Sequence, residues 1–253
     1  MSIKLENVVL ASPEQMEFVI QGMRNPKNSW NKSDSGRGCD NNSCGNHCMF
    51  SPQWCGNTPK YVVGENDHSL MQNLSNAGTE HRKYMRMMPV YVRITAPLYW
   101  WKEFDTYKVG TVANSCSTMH KIQEKEFTME DFSCEHLLSG WCDKITQGND
   151  IIYPGPVDDL ENTILVLNRV RESYLSAVKN PDKYTITPKD IWWQMIQLLP
   201  SSYNQTRNVM LNYEVLANIY RQRKNHKLDE WREFCKWIET LPYSELITGN
   251  SAN

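Results

Sequence analysis

The run from Asp158 to Pro242 constrains the fold more than any other feature of this chain. DDLENTILVLNRVRESYLSAV (158–178) carries apolar residues at helical spacing, and TPKDIWWQMIQLLP (187–200) is a second helix, capped by Thr187 and stopped by Pro200. YNQTRNVMLNYEVLANIYRQRKNH (203–226) reads as one long helix, and LDEWREFCKWIETLP (228–242) follows almost at once. A chain whose second half is this helical cannot close an all-β fold. The first half supplies the strands. KLENVVLA (4–11) reads as an opening strand, and PVYVRITAP (89–97) alternates Val90, Val92 and Ile94 with Tyr91, Arg93 and Thr95, the period of a half-buried strand. SPEQMEFVIQGM (12–23) has a Ser cap and a Pro at the first helical position, and ENDHSLMQNLSNAG (65–78) is a helix closed by Gly78. Residues 24–60 read as an irregular polar insertion, 122–157 as mixed, and the last dozen residues as frayed. The expected class is α+β: a short mixed sheet with long helices, a helical C-terminal half, and a single domain over 1–253 with a Cys-rich insertion at about 30–60.

Bulk properties remove several function classes. Formal net charge is −2, so no general basic field favours nucleic acid. No apolar run reaches the ~18 residues of a membrane span, and MSIKLENVVLASPEQ lacks the basic and apolar regions of a signal peptide. The expectation is a cytoplasmic protein without a membrane partner, whose eight cysteines are thiols or metal ligands more often than disulfides. Nine Trp and twelve Tyr suit buried faces that also receive flat ligands.

Three places carry candidate chemistry. CDNNSCGNHCMFSPQWC sets Cys39, Cys44, Cys48 and Cys55 within 17 residues, beside His47. Four thiolates can hold a structural zinc or an iron–sulfur cluster, or they can be reduced thiols on a polar loop. Arg207 follows LLPSSYNQ; with Ser201, Ser202 and Tyr203 at an expected helix N-terminus it offers a phosphate site. Asn212 and Arg223, eleven positions apart, would lie within about 20° of each other on one long helix. They could hold the two ends of an extended ligand, or could mark where a core helix meets solvent; the second reading is favoured. His226 and Glu230 suit a helix-end ion pair better than a metal half-site.

Taken in order, these segments resemble the flavin-dependent thymidylate synthases over about two thirds of the chain. Gly78-Thr79-Glu80-His81 precedes a strand ending in Ala96-Pro97. WKEFDTYKVGTVANSCSTMHK stands where that family has Arg-Gln-Trp-x-Arg-His-Arg and then Asn-Glu-x-Ser-x-Arg-Tyr. LLPSSYNQTR resembles the segment leading to a nucleotide-binding Arg, Asn212 to Arg223 resembles the Asn-Ala-Arg-Ser-Leu helix, and His226 to Glu230 resembles His-Ala-Gln-x-Glu. The departures fall within the motif: Lys102-Glu103 for Arg-Gln, Thr106-Tyr107-Lys108 for Arg-His-Arg, and Met119-His120 for Arg-Tyr. Thr and Met neither pair bidentately with phosphate nor stack on rings as Arg does.

The resemblance implies C5 methylation of dUMP, or a related pyrimidine nucleotide modification. It implies FAD, a folate one-carbon donor, NADPH and a homotetramer. Carried over by position, it implies Ser117 as catalytic and substrate-orienting, and Arg207 and His120 as substrate-binding. Lys108, Asn114, Asn212, Arg223 and His226 become cofactor-binding. The alternative is a non-catalytic nucleotide- or nucleic-acid-binding protein that keeps the fold.

Overall fold

A computed structural model gives the structure, which describes residues 3–38, 60–143 and 151–249. Strand β1 (Lys4–Leu10) leads to helix α1 (Pro13–Arg24), whose N-terminus is closed by a reciprocal pair: Ser12 Oγ accepts the Gln15 N–H, and Gln15 Oε1 accepts the Ser12 N–H. A small antiparallel pair, β2 (Gly36–Gly38) against β3 (Lys60–Val62), begins within the segment expected to be irregular and ends just beyond it. There follow α2 (Glu65–Asn76), β4 (Pro89–Pro97), α3 (Leu98–Phe104), β5 (Val112–Ser115) and α4 (Thr118–Lys121). A second such pair, β6 (Gly140–Asp143) with β7 (Ile151–Pro154), precedes α5 (Pro156–Lys179) and α6 (Pro188–Leu198). The chain ends in β8 (Asn204–Asn212), α7 (Tyr213–Arg223), α8 (Asp229–Glu239) and α9 (Glu245–Thr248). The class is α+β with a helical C-terminal half. Its main sheet has four strands in the order β1-β4-β8-β5. Side chains pair Thr95 with Thr206 and Arg93 with Asn208, so β4 and β8 run antiparallel.

Two expectations are corrected. Residues 203–226 are a strand and then a helix. Val209 and Leu211 alternate into the core, and pairing with β4 overrides the helical look of Met210-Leu211 followed by Val215-Leu216. The break is chemical: Asn212 is extended (φ −140°, ψ 170°) and its carboxamide caps α7. Residues 245–248, within the stretch expected to fray, form helix α9. α9 buries Leu246 and Ile247, and Glu245 meets His68 Nε2 at 2.6 Å. Cys39, Cys44, Cys48 and Cys55, and the zinc or cluster they were read to hold, lie outside the described residues.

The chain forms two compact units. The first comprises Met1–Lys4, Ile94–Thr106 and Asn114–Arg207; the second comprises Leu5–Arg93, Tyr107–Ala113 and Asn208–Asn253. In the first, α5 packs along α6, and Phe127, Phe132, Leu160, Ile164, Leu167 and Met195 form the core. Gly155, which starts α5, could carry no side chain: a Cβ there would lie 2.1 Å from the Ser139 carbonyl carbon. In the second, Arg24 and Asp67 form a buried ion pair at 2.5 Å, and Asp67 also accepts from the Ser33 and Ser35 hydroxyls and the Asp34 and Ser35 N–H groups. Burial works against that carboxylate, but the hydrogen bonds from Ser33, Ser35 and Arg24 outweigh it, so its pKa lies below the ordinary value. Arg82 and Glu214 form another buried pair at 2.9 Å, misaligned for a hydrogen bond.

Candidate functional site

Asn114, Ser117, His120 and Arg207 belong to the first unit. Arg207 is the last residue that β8 gives this unit, not a helix-start residue. It is held on three sides: Nη1 donates to Asp105 at 2.7 Å, Nε donates to Gln205 at 2.9 Å, and Cζ lies 4.2 Å from the centre of the Trp101 ring. Strand alternation places Gln205 and Arg207 on one face. Gln205 Nε2 in turn donates to Thr118 Oγ1 at 2.7 Å, and Trp101 Nε1 donates to the Gln205 carbonyl at 2.9 Å. A chain of polar contacts thus joins Arg207 to the residue after Ser117.

Ser117 is the N-cap of α4; its hydroxyl accepts the His120 N–H at 3.2 Å. It is exposed and lines a cavity of about 450 Å³ with Thr95, Cys116, Tyr203, Asn204 and Gln205. Asn204 also lines it, and its Oδ1 is buried with no donor among the described residues. Burial pushes the Tyr203 phenol up, with the Asp131 charge and Cys116 adding to it, so this group stays protonated at neutral pH. The charges are Lys121, paired with Glu124, and Lys125, paired with Asp131, plus Glu130. With three carboxylates against two lysines, the cavity favours a neutral ring over a phosphate. Asn114 is exposed on β5. His120 lines a different cavity, on the other side of α4.

Lys108, Asn212, Arg223 and His226 belong to the second unit. Arg223 ends α7. Its Nε donates to the Tyr107 hydroxyl at 2.9 Å, and its Cζ lies 4.9 Å from the centre of the Trp231 ring. Tyr107 donates to Gln222 at 3.0 Å, and His226 stands edge-on to Trp231, its Nδ1 accepting the Leu228 N–H at 3.2 Å. Arg223, Tyr107 and His226 therefore gather around Trp231. Asn212 sits at the other end of α7, where its Oδ1 accepts the Val215 N–H at 3.0 Å. Its extended backbone removes the premise of one helical face shared with Arg223. Gly110 (φ +79°) packs so tightly on this cap that a Cβ would stand 3.0 Å from Asn212 Nδ2. Lys108 is exposed in the preceding turn. For a dinucleotide flavin, Lys108 and Arg223 are cations of the right kind and Tyr107 is a flat surface; Trp231 is fully buried and offers no open face. Asn212 fits less well, because its carboxamide oxygen already serves the helix. Among the described residues, no group of three or more His, Cys, Asp or Glu could hold a metal ion.

No protein-family model and no curated relative matches the sequence. Solved structures do. A thymidylate synthase X (ThyX) from Helicobacter pylori, solved with FAD and dUMP, is 14% identical, with 98% of this chain and 96% of that one covered at a TM-score of 0.55. A second structure of a flavin-dependent thymidylate synthase ThyX from Helicobacter pylori, complexed with FAD and dUMP, is also 14% identical over 98% and 97% at a TM-score of 0.56. The fold is that of the flavin-dependent thymidylate synthases. A UMP/dUMP methylase, PolB from Streptomyces cacaoi, bound with 5-Br dUMP, shares this thymidylate synthase fold at 14% identity, with 98% and 96% covered and a TM-score of 0.51.

Sequence reasoning named Arg207 but missed what holds it. Gln205 was readable from strand alternation once 204–212 is a strand; Asp105 and Trp101 come from another part of the chain and carry no local signal. Asn204 and the thiol of Cys116 were passed over as neighbours of residues already chosen. Among the described residues, no helix is long and apolar enough to cross a membrane.

Proposed function

We propose that this chain is an FAD-dependent enzyme that modifies C5 of a pyrimidine nucleotide, dUMP or a close relative, as a homotetramer in the cytoplasm. A folate derivative serves as one-carbon donor and NADPH as reductant. The observation that carries the reading is the Ser117 cavity with its buried, donorless Asn204 oxygen, on a fold shared with structures solved with FAD and dUMP. The imide N–H of a pyrimidine is the donor that Asn204 lacks, and the Ser117 hydroxyl, which only accepts from His120, keeps its own proton to offer a ring carbonyl. Tyr203 stays a phenol and donates. The carboxylates keep the nucleotide phosphate out of the cavity, and Arg207, oriented by Gln205, receives it in competition with Asp105. Bound flavin supplies the reducing hydride. Lys108 and Arg223 would hold its diphosphate, with Tyr107 as a flat neighbour. Among the described residues no base is positioned on Ser117, so the protein binds, orients and shields and no residue attacks the substrate.

The purified protein should absorb at about 450 nm from oxidised flavin, and once that flavin is reduced, dUMP with a methylene donor should reoxidise it without air. Absence of both signals, after FAD has been removed and added back, would overturn the enzyme reading. Tight binding of dUMP without turnover would favour the non-catalytic alternative, which the engagement of Arg207 by Asp105 supports.

A further inference from the structure

We propose that the first unit carries a second ligand site, on the face of α4 away from Ser117, for a flat aromatic ring bearing an acidic group. It goes beyond the pyrimidine reading and does not depend on it. A cavity of about 550 Å³ is lined by His120, Gln123, Tyr174, Pro188, Lys189 and Trp192. Tyr174 of α5 and Trp192 of α6 are half-buried and packed against the core cluster, so the rings that wall the cavity are fixed. Gln123 donates its amide to the His120 carbonyl at 3.0 Å, while its Oε1 is buried and accepts from no described group. That oxygen is an unmet acceptor on a residue that lines the cavity.

Charge separates this cavity from the Ser117 cavity. Its lining holds Lys189 and His120 and no carboxylate; the Ser117 cavity holds three. The nearest acid in sequence, Asp190, is turned to the cap of α6, where its carboxylate accepts the Thr187 hydroxyl and N–H. The lining therefore joins a stacking wall, one unfilled acceptor and a lysine at the rim. Together these select a planar ring with an N–H or O–H donor and a phosphate or carboxylate.

Titration calorimetry of the full-length protein with 2-naphthyl phosphate tests this, with 2-naphthol lacking the anion and inorganic phosphate lacking the ring. The phosphate ester should bind about fivefold or more tightly than either. Lys189→Ala, at an exposed position, should remove that preference over 2-naphthol; Lys125→Ala, in the Ser117 cavity, should leave it intact. Equal affinity for ester and naphthol, no measurable binding, or insensitivity to Lys189→Ala would overturn the proposal. Loss of binding with Lys125→Ala would place the ligand in the other cavity and overturn it equally. Trp192→Phe separates ring stacking from folding: it should retain binding, and a complete loss with unchanged circular dichroism would count against the stacking wall.

Discussion

Two helix caps, one in each unit, show how differently the units use polar side chains. Asn212 is buried, bonded to Val215 and pressed by Gly110. Ser117 makes the same kind of bond to His120 at the surface of a cavity. The contrast extends further. The second unit gathers five donors on Asp67 and fixes the backbone there, while its Arg82–Glu214 pair meets without an aligned hydrogen bond. The first unit keeps its polar groups half-open: the Arg207 and Asp105 side chains are 15% and 49% exposed, and Asn204 has an acceptor to spare. Groups that can exchange partners can take ligands, and groups that cannot are scaffold.

The contrast breaks most severely at Asp67. Asp67→Ala leaves Arg24 buried without its counter-ion and should cost about 3–5 kcal/mol, read by urea unfolding. Acid acts on the same group. Because its folded pKa is lowered, its contribution is complete above the unfolded aspartate value and is lost as pH falls through the lower folded one. Stability should therefore decline on acidification below the usual aspartate range, and the decline should be shallower in the variant. Asn212→Ala should cost about 1–2 kcal/mol, the upper range for a cap, in a thermal melt. Ser117→Ala should cost only about 0.5 kcal/mol, since its cap serves a four-residue exposed helix, yet should weaken dUMP binding at least tenfold. If Ser117→Ala destabilised as much as Asn212→Ala, the two caps would be alike. Smallest of all, Asp105→Asn should change stability by less than about 1 kcal/mol, the pair being half-exposed. It should tighten dUMP binding a few-fold by releasing Arg207.

Most of the fold was legible wherever one face of an element repeated without interruption. β1, β4, α1, α2, α5, α6 and α8 lie where period and capping put them. Residues 204–212 were not legible, because Val209 and Leu211 mark a strand only when β4 is there to pair with it. The same element decided the site. Arg207 stood out by its charge, but its setting with Asp105, Trp101 and Gln205 depends on the strand. His120, read beside Ser117 in sequence, is turned to another cavity by the short helix that Ser117 starts. Asn212 looked like a ligand group because a cap and a ligand-binding amide use the same atoms.

The shared use of β4 and β8 has a consequence for biosynthesis. Strand β8, which lies between β4 and β5 in the sheet, is complete only once Asn212 has been made, and α7, α8 and α9 follow it. Early segments such as 5–93 therefore wait on the ribosome without their partners, with the apolar faces of β4 uncovered. Truncation before Asn208 removes part of the strand that pairs with β4, and should yield material for the quality-control machinery, not a smaller working protein.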